Sequence, residues 1–160
     1  MKMVTGKLQR ELKKRGPFES IQQEVVISLL RTNDQFQYRF AQLFKEFKLT
    51  RPQYNILRIL RGEGAPLPSL EIASRMITVA PAITSLIDTL EKRELVKRRR
   101  CTKDRRVWYV ELTSQGKKLV EKMDRPNLEM HSKLVGHLNK KECRQLLDLL
   151  EKAREGIQRR

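Results

Sequence analysis

The sequence predicts a mainly α-helical fold with one small β-hairpin. Three observations lead to it: a long apolar stripe at helical spacing near the N-terminus, a later pair of helical segments around a tight turn, and a basic segment followed by a β-branched and aromatic run. The chain has 160 residues, 39% hydrophobic and 34% charged, a composition typical of one soluble domain or oligomeric subunit with its own core.

Charge and composition exclude several classes of protein. No apolar run approaches the roughly 20 residues that a membrane span needs, and the N-terminus lacks the apolar core of a secretion signal. Two cysteines cannot form a disulfide framework, and they fit a reducing cytoplasm. The formal net charge of +16 predicts a polyanionic partner, nucleic acid first and an anionic membrane second.

The N-terminal part of the chain divides into an arm and a long helix. Residues 1–19 form a basic arm that we expect to be a frayed, solvated tail. The apolar pattern of residues 20–48 predicts a dimerisation helix. Ser20 is its expected N-cap and forms a capping box with Gln23. At about 27 residues and roughly 40 Å, it is longer than a compact subunit of this size needs. Its apolar stripe consists of Ile21, Val25, Leu29, Phe36, Phe40, Leu43 and Phe47.

Three further helix starts follow. Thr50 and Gln53 form a second capping box. The helix that they open ends in the Gly- and Pro-rich segment 62–68, after which Ser69 is expected to cap a short helix. Thr78 is the predicted N-cap of the next one.

The helix that begins near Pro81 has two unlike faces. Its core stripe consists of Ile83, Leu86, Ile87 and Leu90. The opposite face carries small or short side chains: Pro81, Ala82, Thr84, Ser85, Asp88 and Thr89. An ordinary solvated face more often carries long Lys and Glu side chains. Small residues let a backbone approach a flat or grooved surface.

A basic hairpin is predicted next. Between residues 92 and 106, nine Lys or Arg stand against two acidic residues, a local net charge of +7. The run 107–112 is β-branched and aromatic and predicts a strand. Trp108, Val110 and Leu112 alternate onto one face, which we expect to be the core face.

Two helical patterns follow the hairpin, and they predict C-terminal dimerisation helices over residues 117–160. Thr113 begins the first, and Pro126 is expected to end or kink it. The second begins near Asn139. We expect it to bury Cys143, Leu146, Leu147 and Leu150.

Helix, turn, helix and basic hairpin, over residues 49–116, together describe a winged helix-turn-helix DNA-binding domain. In that arrangement the second helix enters the major groove, and the hairpin tip reaches the backbone or the minor groove. The predicted DNA-binding residues are Thr78, Pro81, Ala82, Thr84, Ser85, Asp88, Arg98, Arg100, Lys103, Asp104, Arg105 and Arg106.

Three segments resemble the MarR family of regulators. Residues 49–57 look like the family's helix opening, and residues 81–91 resemble its recognition helix. Asp104-Arg105-Arg106, followed by Leu112-Thr113 and Gly116, matches its wing motif. The resemblance covers roughly residues 20–158.

The resemblance implies an obligate homodimer that regulates transcription from a pseudo-palindromic double-stranded operator, most often as a repressor. Small aromatic or anionic effectors release some members from DNA. The wing Arg that enters the minor groove would be Arg106, and the Asp that holds the wing would be Asp104. Two positions depart from the pattern: Ser85 replaces a frequent Arg, and Glu94 replaces the Gly that commonly ends the recognition helix.

Other functions have less support in the sequence. Excess positive charge alone would also fit a non-specific architectural or RNA-binding basic protein, but the small-faced helix favours specific duplex recognition. No catalytic constellation, cofactor motif or metal site is expected, because His131 and His137 do not share a helix face and no Gly-rich phosphate loop is present. Cys101 lies among cationic side chains that favour its thiolate, so its oxidation could displace the wing, although an ordinary hairpin residue is the favoured interpretation.

Overall fold

The computed structural model describes residues 6–77, 82–102, 104 and 106–157. The chain divides into two compact units, Met1–Gln42 and Leu43–Arg160. Within the described ranges, no helix is both long and apolar enough to cross a membrane.

The first unit contains α1 (Lys7–Glu11) and most of α2 (Ile21–Glu46). The expectation of a frayed tail is wrong for residues 7–11, which form a helical turn. The side-chain amide of Gln9 donates to the carbonyl of Gly16 at 2.8 Å and closes the loop that follows. Local hydrogen bonds of this kind give a short basic segment a defined backbone.

Helix α2 matches the predicted dimerisation helix to within one or two residues. The Ser20 hydroxyl accepts from the backbone N–H of Gln23 at 3.1 Å, but the Gln23 amide oxygen accepts from Glu19, so the capping box is displaced by one residue. Large apolar side chains remain exposed along the helix: Ile21, Val25, Val26, Leu29 and Leu30. An apolar stripe of this length on one chain is typical of a surface that a partner covers.

Besides the end of α2, the described residues of the second unit form five helices and one small sheet. The helices are α3 (Arg51–Glu63), α4 (Ser69–Ser74), α5 (Ile83–Lys92), α6 (Ser114–Val135) and α7 (Lys140–Glu155). The strands are β1 (Leu67–Pro68), β2 (Val96–Arg100) and β3 (Trp108–Leu112). All pairs are antiparallel, in the order β1-β3-β2.

The core of this unit lies where α3 packs against α5, α6 and β3. The predicted capping box holds the start of α3, with the Thr50 N–H donating to the Gln53 amide oxygen at 2.9 Å. The side chains with almost no exposed surface come from both the helices and the sheet: Phe44, Ile56, Leu57, Leu60, Ile72, Ile87, Leu90, Val96, Val110, Val120 and Met123. Their burial fixes the positions of α5 and the hairpin.

The predicted start of α4 is wrong, and Pro126, which is expected to end or kink its helix, does not end it. Ser69 is the first residue of α4 and not its cap, because Leu67 and Pro68 are extended in β1 and Pro68 takes the cap position. Helix α6 continues through Pro126 to Val135. Proline removes one hydrogen bond to the carbonyl four residues earlier, here that of the exposed Lys122, where water can replace it.

Helix α7 begins as predicted, with the Asn139 side chain accepting from the N–H groups of Lys141 and Glu142. The expected burial of its apolar residues is wrong within a single chain. Leu146, Leu147 and Leu149 are exposed, and no residue of the helix is buried.

Candidate nucleic-acid interface

Helices α4 and α5 form a helix-turn-helix in which α5 has a buried and an open face. Ile87 and Leu90 are buried against the core, whereas Thr84, Ser85 and Thr89 are exposed. The predicted two-faced pattern of this helix is therefore confirmed. The small side chains on the open face leave the helix backbone accessible to the groove of a partner.

The start of α5 lies later than predicted. Its first residue is Ile83, and Ala82 occupies the N-cap position without a side-chain hydrogen bond. Thr78 and Pro81, the predicted cap and first-turn residue, lie outside the described residues.

The predicted wing hairpin is present in β2 and β3. Its register pairs Val96 with Leu112 and Arg100 with Trp108. At the tip, the N–H of Cys101 donates to the carbonyl of Val107 at 2.9 Å. On this hairpin the basic residues Lys97, Arg99 and Arg100 are exposed, whereas Arg98 is only partly exposed.

Asp104 holds the wing tip through the backbone. Its carboxylate oxygen accepts from the N–H of Arg106 at 2.9 Å, and its carbonyl accepts from Val107 at 3.0 Å. The Arg106 side chain is exposed, and no carboxylate pairs with it among the residues described. Lys103 and Arg105 lie outside those residues.

Arg98 connects the hairpin to α5. Its guanidinium donates to the carboxylates of Asp88 and of Glu91, at 2.9 Å for Glu91, and its backbone N–H donates to Glu91 at 3.0 Å. Partial burial lowers the pKa of Arg98, but the hydrogen bonds with Asp88 and Glu91 outweigh that effect and raise it above its usual range. Two of the predicted DNA-binding residues, Asp88 and Arg98, are thus paired with each other.

Sequence analysis did not predict the contact that Glu91 makes here. It was placed within the segment resembling a recognition helix, yet its carboxylate accepts from both the backbone and the side chain of Arg98. An acidic residue one turn after Asp88, with an Arg seven positions later, is the spacing that could have indicated this bridge.

The Trp108 side chain is not the core residue that the strand alternation predicted. Val110 on the same face has no exposed surface, but Trp108, which pairs with Arg100 at the end of the ladder nearest the tip, is 45% exposed. The guanidinium of Arg100 lies 5.6 Å from the centre of its ring. Arg99 is similarly placed at 6.0 Å from the Tyr109 ring.

Cys101 is half-buried at the point where β2 enters the tip. Its sulfur accepts from the backbone N–H of Asp104 at 3.5 Å. The thiol therefore belongs to the hydrogen-bonded turn that orients Asp104, and its redox role stays a prediction.

The helix with the open face, α5, and the basic hairpin are neighbours, because Arg98 of β2 contacts Asp88 and Glu91 of α5. Fold and surface together define a winged helix-turn-helix DNA-binding protein. Comparison with known proteins shows which family within this class the chain resembles.

The family model described as MarR matches residues 49–108, which span the helix-turn-helix and most of the wing. The chain is 39% identical to a MarR transcription factor from Planctomyces limnophilus, with a TM-score of 0.67 over 84% of this chain and 98% of that one. The protein belongs to the MarR family of transcriptional regulators.

Two other relatives are similar over most of their length. The S. aureus MepR–DNA complex is 27% identical, with a TM-score of 0.73 over 81% of this chain and 96% of that chain. The homoprotocatechuate degradative operon repressor of Escherichia coli is 27% identical over 127 residues, 79% of this chain and 85% of the relative.

Proposed function

We propose that this protein is a homodimeric, sequence-specific regulator that binds a pseudo-palindromic operator in the cytoplasm and acts as a repressor. The observation that carries the proposal is the exposed small-residue face of α5, together with an exposed Arg106 at the wing tip. Such a helix face fits the major groove, and a wing Arg fits the adjacent minor groove. Repression is supported by the name of the similar E. coli protein.

We assign different roles to the predicted contact residues. Base readout is assigned to Thr84 and Ser85 in the first turn of α5, to Ala82 at its N-cap, and to Thr78 and Pro81, which precede it in the sequence. Backbone and minor-groove contact is assigned to Arg100, Lys103, Arg105 and Arg106. Asp88 and Arg98 take a different role, because their mutual pairing holds the wing against α5. Asp104 orients the tip that presents Arg106.

Dimerisation is proposed through residues 20–48 and 117–160. The exposed apolar side chains of α2 and α7 support it, since an apolar surface of this extent is rarely left in water. Light scattering of the full chain at micromolar concentration should give twice the mass of 18.9 kDa. A monomer at that concentration would contradict the proposal.

The operator is best sought by selecting binding sites from random double-stranded DNA. We expect an inverted repeat whose half-sites lie about 10 base pairs apart, as a two-fold symmetric dimer requires. Equal retention of all duplexes, or equal competition by RNA, would instead favour the second candidate, a non-specific architectural or RNA-binding protein. That candidate rests on the net charge of +16 alone.

A small anionic or aromatic effector is also proposed. A cavity of about 580 Å³ beside the start of α6 supports it, because Arg93, Lys118 and Lys122 line it together with Leu95 and Leu119. Cationic and apolar walls together suit an aromatic carboxylate. Benzoate should raise the melting temperature more than the neutral benzamide does. Equal shifts, or none, would exclude this cavity as an anion site.

A further inference from the structure

The C-terminal ends of α2 and α5 have the same turn geometry. Each helix is followed by a residue in the left-handed region, Lys48 with a φ of 54° and Glu94 with a φ of 55°. A buried leucine comes next, Leu49 or Leu95, and its N–H donates to the carbonyl five residues earlier. Such a turn pairs two carbonyls of the last helical turn and leaves its own carbonyls to other donors.

Arg93 supplies those donors to the turn that ends α2. It is the C-cap residue of α5, and its guanidinium donates to the carbonyls of Phe47 and Lys48, at 3.4 Å for Phe47. A cation is favourable there, because the C-terminal end of a helix is the negative end of its dipole. The carbonyl of Arg93 accepts from the side-chain amide of Gln115 in α6 at 3.4 Å. One residue therefore joins the end of α5 to the end of α2 and the start of α6.

The same residue lines the cavity of about 580 Å³ proposed above as an anion site, together with Lys118 and Lys122. A carboxylate accepts two parallel hydrogen bonds from a guanidinium and carries the opposite charge, whereas a backbone carbonyl is neutral. A carboxylate that enters the cavity therefore competes with the carbonyls of Phe47 and Lys48 for the Arg93 side chain.

We propose that Arg93 is a positioning residue for DNA binding, which holds the end of α5 on the end of α2 until an organic carboxylate in the cavity withdraws it. The exchange rests on the proposed DNA-binding function and anion site, and it adds how one acts on the other. A helix moves as a rigid element, so release of its last turn also shifts Thr84 and Ser85 in its first turn. The carboxylate thereby lowers the affinity for DNA.

The exchange can be measured without DNA, by hydrogen–deuterium exchange of the full-length protein with benzoate as the probe. Benzoate should accelerate amide exchange in peptides that cover residues 45–49 and 91–95, even as it raises the melting temperature. The neutral benzamide should leave both segments unchanged. Arg93→Ala should show the faster exchange without benzoate, and benzoate should add nothing to it.

The effect on DNA is measured by the anisotropy of a labelled duplex recovered by site selection. Benzoate is compared with sodium chloride at equal ionic strength, because duplex binding depends on salt. Saturating benzoate should weaken binding by the unaltered protein about tenfold. Arg93→Ala should be about tenfold weaker from the start and insensitive to benzoate. Arg93→Lys should restore most of the affinity, because an ammonium can still donate at the end of α2.

Lys92→Ala is the matched control, since it removes one positive charge from the last turn of α5 at the preceding, exposed position. It should change duplex affinity less than about threefold and keep the full response to benzoate. Every variant is compared at a temperature and urea concentration at which unfolding curves show it to be folded.

Four results would overturn the exchange while leaving DNA binding intact. They are slower amide exchange at both turns with benzoate, no response to benzoate in either measurement, a full benzoate response in Arg93→Ala, and equal duplex affinities of Arg93→Ala and Lys92→Ala. Absence of duplex binding by the unaltered protein would instead refute the proposed function. Faster amide exchange with benzoate would even then show that the anion withdraws Arg93.

Discussion

Gly116 packs directly against the backbone carbonyl of Leu95. A Cβ at position 116 would overlap that oxygen and would lie 2.9 Å from Cδ1 of Leu112. The same carbonyl accepts from the N–H of Thr113 at 3.1 Å, and the Thr113 hydroxyl accepts from Gly116 and donates to Glu94. The first turn of α6 is thereby joined to the chain that leaves α5, which explains why a Leu-Thr-x-x-Gly segment follows the wing.

Gly116→Ala should destabilise the protein by about 3 kcal/mol, because the added methyl group meets backbone that cannot turn away. Urea unfolding followed by circular dichroism measures the change. Gly62→Ala is the matched control, since a Cβ there meets nothing within 4 Å. That variant should gain about 0.5–1 kcal/mol from helix propensity. Similar unfolding midpoints for the two variants would contradict this account of position 116.

Glu94→Gly should stabilise the protein by about 0.5–1 kcal/mol. Glu94 has a φ of 55°, in the left-handed region, at the turn where the Leu95 N–H donates back to Leu90. A residue with a Cβ is strained in this conformation and glycine is not, although glycine also loses more entropy on folding. Thermal unfolding of the variant measures the net gain.

Glu94→Ala distinguishes the backbone effect from the loss of a carboxylate near the basic wing. Alanine keeps the strain, so this variant should unfold with little change from the unaltered protein. A gain in Glu94→Ala equal to that of Glu94→Gly would assign the effect to charge and not to the left-handed turn.

The main features of the fold could be predicted because they depend on local signals. The capping box at Thr50 and Gln53 needs only two residue types three positions apart, and the structure confirms it. The left-handed turn after α5 forms although Glu94 replaces the expected glycine. Its hydrogen bonds to Leu90 and Thr113 outweigh the local preference, a balance that one residue's identity does not reveal.

The parts that could not be predicted depend on how far neighbouring elements reach. Alternation correctly placed Trp108 on the face of Val110, but it cannot show how much of each side chain the packed elements cover, and Trp108 is 45% exposed. Strand β1 has two residues, Leu67 and Pro68, and exists through pairing with distant Val110 and Tyr109. Likewise, the salt bridges of Arg98 with Asp88 and Glu91 join a strand to a helix, so they depend on the tertiary fold and not on a local pattern.

Arg98→Ala should lower stability by about 1 kcal/mol, a value kept small because the three side chains are partly exposed to solvent. It should also weaken DNA binding, because the hairpin loses its connection to α5. Arg99→Ala removes the same charge from the opposite face and should change stability by less than about 0.5 kcal/mol. Urea unfolding of both variants measures the difference, and equal effects would show that the bridge does not stabilise the hairpin.

Arg106→Ala should weaken operator binding by about 1–3 kcal/mol while leaving the unfolding midpoint unchanged, because it removes a groove contact and the hydrogen bond to Asp104 uses the backbone N–H. Arg125→Ala, whose side chain is 90% exposed on α6, is the control for one lost positive charge. Titration of a labelled operator at moderate salt compares the variants. Equal affinities for both would place Arg106 outside the interface.

The salt dependence of binding tests the role of charge and of the basic arm. A dimer that sets two wings on one duplex could neutralise roughly six to ten phosphates, so log affinity should fall with log salt with a slope of about −5 to −9.

Residues 7–11 of the arm form a helix, and a defined backbone lets basic side chains lie along a phosphate strand. Deleting residues 1–16 should therefore flatten the slope and weaken all duplexes alike, with no change in the preferred sequence. If the shortened protein keeps the full slope, the arm does not contact DNA. A slope near zero for the full chain would defeat the DNA-binding account itself, because a protein with a net charge of +16 cannot bind a duplex without displacing counterions.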